Sequence, residues 1–174
     1  MVSVGHEIML KGVMSTANGF VIHENYNQGT SINDIALVGV KTPILFNVNV
    51  SRVALMRKPP HDEEAAIAGW GYTDERKHTL TERLKFTKQR VLSNKECVNL
   101  MKTMPLGTYC ASDKAGGSYP SVGDSGSALV IRKYIQIGLV SYKKPDTSRK
   151  VIVYTDTGYF YKWIRDSTKR LMCT

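Results

Sequence analysis

Short apolar runs set apart by turn-forming residues dominate this chain, and they leave little choice of fold class. Gly19–Ile22, Ile35–Val40, Ala65–Trp70, Leu84–Val91, Ser127–Arg132, Tyr134–Tyr142 and Val151–Tyr154 are each of strand length. Runs of that length between turn signals predict an all-β barrel or sandwich. Ile44–Leu55 is extended and partly alternating, which predicts a further strand. Only Lys133 separates Ser127–Arg132 from Tyr134–Tyr142, so a tight hairpin is expected there. Two helices complete the expectation. Ser93 is placed to cap Asn94–Lys102, with Glu96 three residues on as its capping-box partner. Tyr159–Leu171 sets Phe160, Ile164 and Leu171 along one face. The polar, proline-bearing stretch Pro59–Glu64 reads as a connection, dividing the chain into 1–58 and 59–174.

Composition narrows the function classes. At 174 residues and 42% hydrophobic, the chain has enough apolar material for one domain and too little for two ordinary ones. The net charge of +9 comes from Lys and Arg spread along the whole length. Without a nucleic-acid-binding motif, that charge is read as a solvated basic exterior, and no nucleic-acid partner is expected. No apolar run approaches the roughly 18 residues of a membrane span, so no membrane partner is expected. The three cysteines, Cys97, Cys110 and Cys173, are odd in number, so at least one thiol is unpaired or joined to another chain. No Cys/His cluster has metal-ligand spacing; neither a metal nor another cofactor is expected. Met1–Val13 lacks a secretory pattern, because Lys11 interrupts the apolar stretch and no small-residue cleavage site follows.

The strongest local signal is Gly123-Asp124-Ser125-Gly126-Ser127, followed by the apolar Ala128-Leu129-Val130. It resembles the nucleophile motif of the trypsin-like (chymotrypsin-family, S1) serine proteases. Further likenesses fall in the family's order. Asn33-Asp34-Ile35-Ala36-Leu37 resembles its aspartate motif, and Gly69-Trp70-Gly71 the start of its second barrel. Tyr109-Cys110-Ala111 resembles the end of a disulfide-bearing segment. Gly138–Tyr142 resembles the strand along the substrate backbone, with Tyr142 in place of a tryptophan. Tyr154-Thr155 and Tyr159–Ile164 resemble the last strand and the C-terminal helix. The resemblance runs from about Ser15 almost to the end of the chain.

This resemblance implies a two-barrel fold with an incomplete first barrel in 1–58, a near-complete second barrel in 59–174 and a C-terminal helix. It implies a Cys97–Cys110 disulfide. It assigns Ser125 as nucleophile, Asp34 as the carboxylate that orients the general base, and the Gly123 and Ser125 N–H groups as the oxyanion hole. Substrates are then polypeptides, and the location is extracellular, as for the family.

The general base is missing. The family's histidine precedes the aspartate in an Ala-Ala-His-Cys stretch, and nothing similar occurs here. His6 and His23 precede Asp34 in unrelated contexts, and His61 and His78 fall in loop-like stretches. The front strands and the amino terminus made by activation cleavage are absent as well. That amine is the family's partner for the residue matching Asp124, so Asp124 needs another partner, and a zymogen-like or disordered oxyanion loop is expected. The substrate pocket also departs from the pattern. Tyr119 stands where trypsins carry an aspartate, Ser121 replaces a cysteine, and Lys143 and Ile152 replace glycines. With Ser141 and Tyr142 along the substrate backbone, these changes predict a narrowed or blocked pocket. The resulting expectation is a serine-endopeptidase domain that is inactive without its histidine. The alternative is a non-catalytic protease homologue that binds or regulates protein partners. Open barrel edges predict self-association.

Overall fold

A computed structural model describes residues 1–113, 117–144 and 148–172; Cys173 lies outside the described residues. The strands are β1 (Val2–Val4), β2 (Val13–Ser15), β3 (Ala17–Ile22), β4 (Ala36–Val40), β5 (Ala54–Leu55), β6 (Glu64–Gly69), β7 (Tyr72–Asp74), β8 (Thr79–Leu80), β9 (Lys85–Val91), β10 (Thr108–Ser112), β11 (Ala128–Ile131), β12 (Ile135–Lys144) and β13 (Ser148–Asp156). Two helices, α1 (Asn94–Met101) and α2 (Tyr161–Met172), interrupt and close the series.

Six strands make one closed barrel in the order β11-β6-β9-β10-β13-β12, with β12 returning to pair with β11. The sequence pattern explains which faces point inward. Residues alternate exposed and buried along β6, which turns Ala65, Ile67 and Gly69 inward. β13 buries both faces. Ile152 and Tyr154 join the barrel core, whereas Val151 and Val153 pack with Cys97, Met101 and Cys110 beneath α1. The β11–β12 hairpin turns through Arg132 and Lys133, both at positive φ, and the Tyr134 N–H donates to the Ile131 carbonyl at 3.2 Å. Two left-handed residues at such a corner match the right-handed twist of the flanking strands.

Helix α1 starts where its capping signal stands. Ser93 Oγ accepts from the Glu96 N–H, and the Glu96 carboxylate accepts from the Ser93 N–H at 2.8 Å. The Cys97–Cys110 disulfide ties α1 to β10, with 5.6 Å between the Cα atoms. Helix α2 begins two residues later than the sequence suggests, because Asp156 Oδ1 accepts from the Gly158 and Tyr159 N–H groups and holds that stretch in a turn.

Among the described residues the front of the chain builds only small sheets. β1–β2 and β3–β4 are separate two-stranded sheets. The β3–β4 pair lays one face on α2, where Leu37 packs against Ile35, Phe160 and Ile164. Its other face, with Phe20, Ile22 and Val38, is exposed. The strand expected over Ile44–Leu55 is confined to β5, which adds in parallel beside Ile135 and Gln136 of β12. Before it, the chain forms its own small turn through an Asn47–Val50 bridge, and Leu45, Phe46 and Val48 face outward. A strand needs a partner edge, and among the described residues this stretch meets one only at Ala54–Leu55.

Candidate active site

Ser125 sits on an exposed turn between Asp124 and Ser127, whose backbone closes through a 2.9 Å Ser127 N–H to Asp124 carbonyl bond. The turn is fastened to β12. The Gly126 N–H donates to the Val140 carbonyl at 2.8 Å, and the Val140 N–H to the Ser127 carbonyl at 3.0 Å. The next residue on β12, Ser141, donates its hydroxyl to Asp34 Oδ2 at 2.6 Å. Thr155 Oγ1 on β13 donates to the Asp34 carbonyl at 2.8 Å. Asp34 enters β4 beside Asn33, which takes a positive φ. Thus two neighbouring residues of β12 link the serine turn of the barrel to the aspartate of the front segment.

No histidine stands in that link. His6 Nδ1 accepts from the Ile8 N–H. His23 lies 5.1 Å from the Trp163 ring and 5.5 Å from that of Phe160, and its Nδ1 accepts from the Asn25 N–H. His61 lies against Tyr109 and His78 against Tyr72. These are all four histidines of the chain.

Asp124 has found backbone partners. Its Oδ1 accepts from the Gly71 N–H at 2.9 Å and its Oδ2 from the Ser121 N–H at 2.8 Å. The carboxylate fits because Gly69 and Gly71 have no side chains: a Cβ on Gly69 would stand 1.9 Å from Asp124 Oδ1. Gly123 adopts φ +97°, a region open chiefly to glycine. Among the described residues neither the Gly123 N–H nor the Ser125 N–H meets a protein acceptor. Deep in the barrel, burial raises the Tyr154 phenol well above its ordinary range, and the nearby Asp124 charge adds to this. Burial does the same for Tyr109, reinforced by Asp156 and by Tyr154 itself.

The pocket residues named from the sequence fall into two groups. Lys143, Tyr119 and Ser121 converge: the Lys143 ammonium pairs with Glu75 and lies 5.1 Å from the centre of the Tyr119 ring, and the Ser121 hydroxyl donates to the same Glu75 oxygen. Ile152 and Tyr142 do not join them. Ile152 is buried in the barrel core, against which Tyr119 also packs, and Tyr142 packs toward the disulfide cluster, where burial raises its phenol. Glu75 went unread in the sequence. It lies in the charged stretch Asp74–Lys77, which runs from the last residue of β7 toward β8, and such a run ordinarily signals only a solvated turn.

Comparison with known proteins places this geometry. The Trypsin family model matches residues 7–164. Trypsin eta of Drosophila melanogaster is 30% identical over 164 residues, covering 89% of this chain and 61% of that protein. Chymotrypsin of Phaedon cochleariae is 31% identical over 157 residues, covering 86% and 56%. The chain therefore spans about three fifths of the length of these curated relatives. The scabies mite inactivated protease paralogue S-D1 superposes with a TM-score of 0.84 at 22% identity, covering 97% of this chain and 76% of that one. The chain belongs to the trypsin family: it is a serine protease domain of the trypsin-like S1 type.

Proposed function

We propose that these 174 residues carry the serine and aspartate half of a serine-endopeptidase site and are catalytically silent on their own. A serine hydroxyl is a poor nucleophile until a base takes its proton. The observation that carries the reading is that Asp34 is held by Ser141 while every histidine is engaged elsewhere. Ser125, Asp34 and the Gly123 and Ser125 N–H groups keep their family roles in it, and the substrates are polypeptides. Residues 1–58 act as the remnant of the first barrel and 59–174 as the second, in an extracellular protein. The Cys97–Cys110 bridge suits that compartment. A fluorophosphonate probe, which labels activated serines, tests this. The expected outcome is no labelling above that of Ser125→Ala. Labelling of the unaltered chain that disappears in Ser125→Ala overturns the proposal.

A second reading is a non-catalytic homologue that binds polypeptide partners. The Lys143–Glu75 pair across the pocket favours it. So does the likeness to a scabies mite protein described as an inactivated protease paralogue.

A further inference from the structure

The turn at Asn47–Val50 carries a motif that the serine site does not use. Asn49-Val50-Ser51 is the one Asn-x-Ser/Thr triplet of the chain, and Arg52, not proline, follows it. On a surface loop of a secreted protein such a triplet accepts an N-linked glycan. The triplet alone decides nothing; its setting does. The Asn47 N–H donates to the Val50 carbonyl at 2.9 Å, and the Val50 N–H to the Asn47 carbonyl at 3.2 Å. Asn47 Oδ1 accepts from the Asn49 N–H at 2.8 Å, so the Asn47 side chain serves the loop itself. The Arg52 guanidinium lies 5.8 Å from the centre of the Phe46 ring and closes the base of the loop. Val50 lies against Gly5, where an added Cβ would stand 2.8 Å from Val50 Cγ2. Asn49 and Ser51, on either side of it, are exposed. Among the described residues neither the Asn49 amide group nor the Ser51 hydroxyl is held by a protein partner.

We propose that Asn49 is an N-glycosylation site. This rests on the extracellular reading above, because the donor, a lipid pyrophosphate-linked oligosaccharide, is met in the secretory pathway. Asn49 Nδ2 bonds to C1 of the first sugar and gives up one proton. The bond from C1 to the pyrophosphate oxygen breaks, and the lipid pyrophosphate leaves with the electron pair. The free amide supplies the nitrogen, and the free Ser51 hydroxyl completes the recognised triplet. The place of the triplet also gives the glycan a role. The same stretch leaves Leu45, Phe46 and Val48 in water, with Val48 99% exposed. A bulky, hydrated glycan on the residue next to Val48 shelters these apolar side chains from other chains.

The test is translation of the full chain behind an appended secretory leader in the presence of endoplasmic-reticulum microsomes. Protease protection marks the molecules that have entered the lumen. The protected chain is expected to run as one heavier band that endoglycosidase H returns to the unmodified position, with the glycopeptide mapping to Asn49. Asn49→Gln and Ser51→Ala are expected to lose the shift, and Ser51→Thr, which keeps a hydroxyl, to retain it. A protected chain without the shift overturns the proposal, as does a shift that survives Asn49→Gln. Should the leader not carry the chain into the lumen, a synthetic peptide of residues 44–55 is offered to solubilised oligosaccharyl transferase with the lipid-linked donor. Transfer to Asn49 is expected, and an unmodified peptide overturns the proposal. Cell fractionation of the native protein separates this result from the extracellular reading. No shift in microsomes with native protein in the medium overturns the glycan site alone. A shift in microsomes with native protein only in the cytosol overturns the extracellular reading, and the proposal with it.

Discussion

Asp124 lies where two glycines approach its carboxylate, so its environment is set by side chains that are not there. Gly69→Ala would drive a methyl group into Oδ1, and the carboxylate cannot retreat without giving up the Gly71 and Ser121 N–H donors. Overpacking of this kind costs about 1–3 kcal/mol. Gly29→Ala is the control: its added Cβ would meet nothing closer than 3.5 Å, and its backbone needs no left-handed φ. Urea denaturation is expected to show a clear loss for the first and a change within about 0.5 kcal/mol for the second. The buried phenols give a pH-dependent counterpart. Tyr109 and Tyr154 hold their protons in the folded barrel above the ordinary tyrosine value of 10.0, mainly because of burial. The unfolded chain releases those protons first, so stability is full below pH 10 and falls as pH rises beyond it. Absorbance titration at alkaline pH is expected to show these two phenols ionising together with unfolding; ionisation of every phenol before any loss of structure would contradict this.

At the scale of elements, α1 depends on its first residue and its bond to β10. Ser93→Ala removes the oxygen that accepts the Glu96 N–H, and N-cap losses of this type cost about 1 kcal/mol in thermal or urea unfolding. The capping box also holds the Glu96 carboxylate at about 2, through the Ser93 backbone N–H first, then its hydroxyl and Arg90. Its contribution is therefore complete above the ordinary value of 4.5 and fades as pH falls toward 2. Replacing both Cys97 and Cys110 by Ala frees a 13-residue separation and is expected to lower stability by about 2–4 kcal/mol. These features were legible because each is local: a Ser-x-x-Glu box, an apolar hairpin around Lys133, and a Gly-Asp-Ser-Gly turn ahead of an apolar strand. Ile44–Leu55 misled because alternation records which residues could line a strand and says nothing of a neighbouring edge. The Ser141–Asp34 bond and the Glu75 clamp join residues 107 and 68 positions apart. No local pattern signals either distance, and family resemblance placed Lys143 without revealing its partner.

For the whole molecule, the closed barrel and the front segment differ in how they meet water. Among the described residues the barrel leaves no open edge in its six-strand ring, and its core residues Leu129, Ile131, Ile137 and Tyr154 are fully buried. Among the described residues the front sheets keep their edges, and Phe20 and Val38, cross-strand partners on the outer face of β3–β4, are 71% and 59% exposed beside Ile22. An apolar face bordered by free strand edges is a template for pairing, and the surface always available to this chain in its own solution is a second copy. Self-association is thus expected to come from the front sheets and not from the barrel. Sedimentation velocity should show concentration-dependent oligomers for the unaltered chain and a shift to monomer for Phe20→Lys with Val38→Lys. Because neither residue belongs to the barrel core, the double variant should keep a cooperative thermal transition. A monodisperse monomer before any substitution would show that the front segment has buried this face by other means. Oligomers that persist in the double variant would move the contact to another surface, with the exposed Leu45, Phe46 and Val48 stretch next to be altered.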